Sequence, residues 1–223
     1  MELGIYIADT GPLNDKGLFD YYYKKMPLYR QEKIYRIAHQ NGKCESLGAG
    51  ILLELALNDA GIPKAARNMV VSENGKPSLS GNYCVYYNLS HSGGKVMCVL
   101  TMQPCGCDVQ KVKQDSDEKI AKRFFTDYEY ELCMNNPGLF TRIWSLKESY
   151  IKTTGRGLST PLDSFSLDFN EKMVVTGVTV DGQKREDFSF YELDFDDGYK
   201  YAVCVQGAMP EPQVQWIDLR RYG

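Results

Sequence analysis

Residues 144–158 read WSLKESYIKTTGRGL. Helical spacing of apolar positions runs through residues 139–154, and Gly155 stands where a left-handed cap would end such a helix. Trp144, Glu148 and Lys152 lie four residues apart and share one helix face, flanked by Lys147 and Ile151. Alone, the Glu148–Lys152 pair reads as an exposed salt bridge beside a buried tryptophan, since such pairs are common and individually weak. It also has a sharper meaning: a carboxylate and an amine one turn apart, aimed into a cleft, can hold a metal and a phosphate together. Gly155-Arg156-Gly157-Leu158 makes a tight exit, and Ser159-Thr160-Pro161 leads into a strand.

Outward from this helix, residues 164–169, 173–180, 188–194 and 199–206 read as strands. Upstream, residues 105–110 form a strand, residues 116–125 a helix, and residues 126–135 a second helix entered through a capping box of Thr126 and Glu129. The first half has the same style. A strand at 3–8 and helices at 16–25 and 28–40 precede a rich apolar helix at 44–60, ended by Gly61 and Pro63. Strands at 68–72, 83–89 and 95–102 follow, the last two joined at Gly93-Gly94. GGKVMCVLT (93–101) and DGYKYAVCVQ (197–206) resemble each other as final strands. The pattern predicts an α+β fold of two similar lobes, each with antiparallel strands packed against a long helix. The boundary falls near Pro104, giving lobes 1–104 and 105–223, with the tail 207–223 wrapping over the body. A cleft between lobes is a natural ligand site.

Composition narrows the classes. Hydrophobic residues make up 43% and charged residues 25% of 223, which excludes a disordered chain. A net charge of −3 argues against broad electrostatic binding of nucleic acid. The start, MELGIYIADT, lacks a basic stretch followed by an apolar core, and no apolar run reaches membrane-spanning length. A cytoplasmic protein is expected, and Asn88-Leu89-Ser90 is an accidental glycosylation match. The cysteine count is seven, and several sit in apolar strands such as VMCVL and YAVCV, where a thiol serves as a small core residue. Cys105-Gly-Cys107 lacks a second ligand pair at zinc spacing.

Two further stretches carry chemistry. NLSHS (88–92) ends a strand before two glycines; Ser90, His91 and free loop amides there could bind phosphate oxygens, or the stretch is simply a polar turn. A Ser/His hydrolase does not fit, because adjacent strand residues point to opposite faces and no nucleophile elbow is present. In GCDVQ (106–110), Asp108 and Gln110 share a strand face, and Asp108 is either an exposed strand-end acid or a hard-cation ligand.

In this order the motifs resemble those of the 4′-phosphopantetheinyl transferases of the surfactin-synthetase-activating type. That family carries N-(I/L)-S-H-S, G-(I/V)-D-(I/V)-E, F-F-x-x-x-E and W-x-x-K-E-(A/S)-x-x-K-x-x-G-x-G-L. The chain reads NLSHS, GCDVQ, FFTDYE (124–129) and WSLKESYIKTTGRGL, with a Gly75-Lys76-Pro77 turn and PLDSF (161–165) besides. The resemblance spans roughly residues 30 to 205 and implies a monomeric pseudo-dimer with coenzyme A bound between its lobes. It implies magnesium-dependent transfer of phosphopantetheine to a serine of an acyl or peptidyl carrier protein, releasing adenosine 3′,5′-bisphosphate. By position, Asp108 and Glu148 would bind Mg2+, with Gln110 and Glu129 as further candidates. Lys152 would contact phosphate near the reacting centre, Ser90 and His91 would hold coenzyme A phosphates, and Arg30, Lys33 and Lys76 match positions used for the nucleotide end. Glu148 leads as general base, with Glu129 second.

Two departures stand out. Gln110 occupies a position that is often Glu, and Glu45 lies near a point in its helix where the family often has Arg; Lys43 is a candidate to compensate. Lys111, Lys113, Lys119, Lys122 and Arg123 form a cationic run suited to an acidic carrier, or an ordinary solvated face. The rival from another class is a module that binds coenzyme A without transferring anything.

Overall fold

The computed structural model describes residues 2–71, 75–80, 85–112, 118–136, 138–157 and 160–221. Cys84, Lys113, Leu158, Ser159 and the starts of the expected 83–89 strand and 116–125 helix lie outside the described residues.

Strand β1 (Leu3–Asp9) alternates strictly: Leu3, Ile5 and Ile7 enter one core while Tyr6 and Ala8 enter another. Both faces are therefore covered, and the rest of the first sheet shows by what. Helices α1 (Lys16–Lys25) and α2 (Leu28–Tyr35) lead to α3 (Gln40–Asp59), whose apolar residues lie against one face of the sheet. The short pair β2 (Met69–Val71) and β3 (Pro77–Leu79) precedes the hairpin β4 (Tyr86–Ser92) and β5 (Lys95–Thr101). Strand β6 (Cys105–Lys111) begins the second half. Helices α4 (Glu118–Phe124), α5 (Asp127–Asn135) and α6 (Leu139–Thr154) follow. Then come β7 (Phe165–Phe169), β8 (Val175–Val180), β9 (Gln183–Arg185), β10 (Phe188–Leu193), β11 (Tyr199–Gln206) and β12 (Pro212–Ile217).

The main sheets run β12-β1-β5-β4 and β10-β11-β6. Leu3, Ile5, Ile7, Met97 and Val99 of the first meet Cys107, Val109, Tyr201, Val203 and Val205 of the second in one buried cluster. Helix α3 covers the far face of the first sheet and α6 the far face of the second, a helix–sheet–sheet–helix stack. The expected α+β fold of two similar lobes is what the chain adopts. The resemblance between the two final strands is structural as well: Cys98 of β5 faces the α3 core and Cys204 of β11 the α6 core. Burial pushes the Cys204 thiol up to about 12, consistent with a core residue rather than a reactive one.

Four local features differ from the sequence expectation. Helix α2 stops at Tyr35 and α3 begins at Gln40, so residues 36–39 separate the two helices that the sequence suggested at 28–40 and 44–60. Gly42 falls in the first turn of α3, where it breaks no interior hydrogen bond. β9 is an added strand, joined to β8 through Asp181 and Gly182, both at positive φ; an Asp-Gly pair is a hairpin signal. β3 is likewise an added strand, pairing with β2. The tail does more than wrap. β12 pairs with β1 in parallel, the prolines at 210 and 212 preceding or opening an edge strand where a missing N–H costs little. Beyond it Leu219 is fully buried, and its carbonyl accepts from the Tyr22 hydroxyl at 2.9 Å.

Candidate active site

The site begins with a glycine. A side chain at Gly106 would overlap the Ser149 carbonyl and the Thr153 amide, so α6 lies directly on the backbone of β6. Asp108 shares the Gly106 face of the strand and is thereby brought beneath the last turns of α6. Lys152 reaches down from that helix and donates to Asp108 Oδ1 at 2.7 Å, Ser90 Oγ at 3.2 Å and the Cys107 carbonyl at 3.1 Å. Ser90 in turn donates to Asp108 Oδ1 at 2.8 Å.

Ser90 belongs to a seam. Every second residue of β4 turns its side chain toward the free edge of β6. Asn88 Oδ1 accepts from the Cys107 amide at 3.0 Å, Ser90 Oγ from Val109 at 3.2 Å, and Ser92 Oγ from Lys111 at 3.3 Å. Three short polar side chains at period two thus replace a missing partner strand and satisfy β6 amides that would otherwise be orphaned. The NLSHS stretch is a strand for its whole length rather than a turn. Sequence reading singled out Ser90 but missed Asn88 and Ser92, although the alternation was visible.

Asp108 is 5% exposed and its second oxygen, Oδ2, is buried without a hydrogen-bond partner among the described residues. An unpaired buried carboxylate oxygen demands a cation or donor. Glu148 stands half-buried nearby, and burial raises its pKa above the ordinary carboxylate range; Lys152 opposes the rise and the Asp108 charge adds to it. Burial works against the charge on Lys152 too, but Asp108 and its neighbours outweigh it and hold the ammonium above its usual value. Two carboxylates, one with an unpaired buried oxygen, are donors of the hard-oxygen kind that fits Mg2+, which favours one or two carboxylates completed by phosphates and water. No group of three or more acids, histidines or cysteines placed to hold a metal ion is present among the described residues. Gln110 continues the Asp108 face at the half-buried end of β6.

A cavity of about 330 Å³ opens beside these groups, lined by Gly75, Lys76, Pro77, Asn88, Leu89, Glu148, Ile151, Lys152, Gly155 and Gly157. Lys76 spends its ammonium on carbonyls: Lys152 at 2.5 Å, Cys105 at 3.0 Å and Thr153 at 3.2 Å. It caps the C-terminal end of α6, a favourable place for a cation, and burial lowers its pKa.

The other expected site residues are not brought to this cluster. Glu129 is fully buried; both its oxygens lie 2.6 Å from Lys147 Nζ, Oε2 also accepts from the Thr126 amide and hydroxyl, and Oε1 from the Leu167 amide. Its carboxylate is taken up by these partners, and it fills the capping-box role also expected from the sequence. Lys147, also fully buried, went unrecognised in the sequence. Its position four residues from both Ile143 and Ile151, on the apolar stripe, was the available signal. His91 leaves β4 on the face opposite Ser90, where its Nδ1 lies 3.0 Å from Glu45 Oε2. Arg30 is 6% exposed on α2, packed over the Tyr29 ring, without a hydrogen-bond or ion-pair partner among the described residues. Burial and the Arg30 charge lower the Lys33 pKa, so the two cations are neighbours.

Comparison with known proteins gives a consistent family. A family model described as the 4′-phosphopantetheinyl transferase superfamily matches residues 104–204. A 4′-phosphopantetheinyl transferase of Bacillus subtilis is 36% identical over 182 residues, covering 79% of this chain and 80% of the relative. The 4′-phosphopantetheinyl transferase Sfp of Bacillus subtilis strain 168 is 35% identical over the same length and shares. Among solved structures, the holo-[acyl-carrier-protein] synthase of Helicobacter pylori in complex with coenzyme A aligns with 46% of this chain and 99% of its own, at 20% identity and a TM-score of 0.38.

Proposed function

The chain belongs to the 4′-phosphopantetheinyl transferase superfamily, and from that premise we propose that it moves phosphopantetheine from coenzyme A to a serine of an acyl or peptidyl carrier protein with Mg2+. The observation that carries this is the unpaired Oδ2 of buried Asp108, set near Glu148 and with Oδ1 locked to Lys152.

Asp108 and Glu148 would hold the ion, which when bound neutralises charge on the pyrophosphate. The chain's own groups do the rest. The carrier serine oxygen bonds to the phosphorus that bears pantetheine, and adenosine 3′,5′-bisphosphate leaves with the bridging oxygen. Lys152, fixed by three acceptors, lines the cavity with a pre-organised positive charge, so little reorganisation is needed as negative charge develops. Glu148, with its raised pKa, takes the serine proton, through a water if not directly. Ser90 keeps the Asp108 carboxylate oriented.

The carrier is placed on the exposed cationic residues Lys111, Lys119, Lys122 and Arg123, interleaved with the exposed apolar Val112, Ile120 and Tyr128; carrier proteins are usually acidic. Residues 1–104 and 105–223 would act as the two units of a monomer, with β12 crossing back to the first sheet. Among the described residues no helix is long and apolar enough to cross a membrane. The test is to incubate the protein with coenzyme A, magnesium and apo carrier proteins of fatty acid, polyketide and peptide synthesis, and to weigh each carrier. A mass increase of one phosphopantetheine is expected on at least one. Carriers that all stay unmodified, with coenzyme A still bound, would favour the binding module instead.

A further inference from the structure

On the α3 face of β4, two anion donors are already occupied by an acid of the chain itself. Glu45 of α3 places Oε2 3.0 Å from His91 Nδ1, and its Oε1 accepts from the Gly94 amide at 2.9 Å. The Glu45 side chain is only 14% exposed, and Gly94 holds a positive φ of 94° that presents its amide. An imidazole and a turn amide converging on one point are suited to an oxyanion. Here a fixed carboxylate fills that place. Lys95 on the neighbouring strand offers no spare charge, since Asp9 at 3.3 Å and Asp197 at 3.8 Å engage it.

The consequence concerns the donor substrate and rests on the transferase function proposed above. The pyrophosphate belongs with Asp108, Glu148 and Lys152, on the opposite side of β4 from His91. The family resemblance implies that His91 also holds a coenzyme A phosphate, and on this face that would be the one on the ribose 3′ oxygen. On the α3 face it would have to displace the Glu45 carboxylate or stand against it, a like-charge clash of the kind that sets specificity. We propose that Glu45 is a specificity-determining residue that removes the benefit of the 3′-phosphate, so that dephospho-coenzyme A donates phosphopantetheine about as well as coenzyme A. With that donor the carrier serine oxygen bonds to the pantetheine-bearing phosphorus. The bond from that phosphorus to the bridging oxygen breaks, adenosine 5′-monophosphate leaves with the electron pair, and the serine proton passes to Glu148.

The test compares kcat/KM for the two donors. The wild-type preference for coenzyme A is expected to stay within about fivefold, and Glu45→Arg to raise it at least about fivefold further, with Glu45→Gln changing it in the same direction. A larger wild-type preference, or one unmoved by both substitutions, overturns the proposal. If neither donor modifies any carrier, the transferase function fails first. Calorimetry with adenosine 5′-monophosphate and adenosine 3′,5′-bisphosphate then still decides on Glu45: similar affinities uphold its role, and bisphosphate binding more than about tenfold tighter overturns it.

Discussion

Glu148 is a residue held at some cost to the fold. Its pKa is raised above the value of 4.5 that an unfolded chain would show, chiefly by burial. The native state therefore binds that proton more tightly than the unfolded state, and stability is lost as pH rises from the unfolded value through the folded one. Glu148→Gln removes the titration. It is expected to raise the thermal midpoint above that window and to give no such gain below it; a midpoint unchanged at both ends would contradict the electrostatic picture. Gln110 works in the other direction. A neutral amide is a weaker Mg2+ ligand than a carboxylate, so Gln110→Glu is expected to lower the magnesium concentration needed for half-maximal rate. An unchanged magnesium requirement would mean that this position does not reach the ion. At this scale the sequence was legible where chemistry and spacing coincide: Asp108, Glu148, Lys152 and Ser90 do come together. What spacing does not show is where a polar residue also spends its charge on the fold, as Lys76 does on three carbonyls, Glu129 on Lys147 and His91 on Glu45.

At the scale of elements, α6 carries both the site and its support. One face brings Glu148 and Lys152 to the cavity, while Lys147 goes into the core to meet Glu129 of α5 and the Phe165 carbonyl at 2.7 Å. Burial lowers the Lys147 pKa, and the Glu129 charge opposes that shift. Glu129→Gln would leave the ammonium buried without its counter-charge and is expected to cost about 3–5 kcal/mol in urea unfolding, whereas a double change with Lys147→Met should cost less. Equal losses in single and double variants would show that the pair is not coupled. Gly106 sets the distance between α6 and β6, so Gly106→Ala is expected to destabilise by about 3 kcal/mol and to weaken catalysis with it. Wild-type stability in that variant would mean the helix is free to shift. Most elements were readable from periodicity and caps, among them the exact span of α6 and its Gly155 cap at φ 67°. The ones that escaped, β3, β9 and β12, are short or edge strands whose formation depends on a partner distant in sequence or on a turn dipeptide that is easily passed over.

In the whole molecule the two main sheets are joined by side chains along the β4–β6 seam, with β12 returning to the first sheet. This explains how the cluster draws on both halves: Ser90 comes from the first, Asp108 and Lys152 from the second. The α+β layering was legible from the repeat of helices followed by strands, whereas the seam was not, because nothing local says which polar strand residues face another strand's amides. The cationic surface around Lys119, Lys122 and Arg123 belongs to this scale. Reversing two of its charges is expected to raise the carrier KM several-fold without altering coenzyme A binding, an effect that salt should mimic; unchanged carrier kinetics would remove the surface from the account. The central claim is that Asp108, Glu148 and Lys152 form a phosphopantetheine-transfer site. It is tested most directly by the initial rate at which an apo carrier gains one phosphopantetheine from coenzyme A and magnesium, measured with wild-type and with the folded Glu148→Gln protein. Wild-type protein is expected to transfer, with the variant at least about 100-fold slower; an undiminished rate in Glu148→Gln would remove Glu148 from the site.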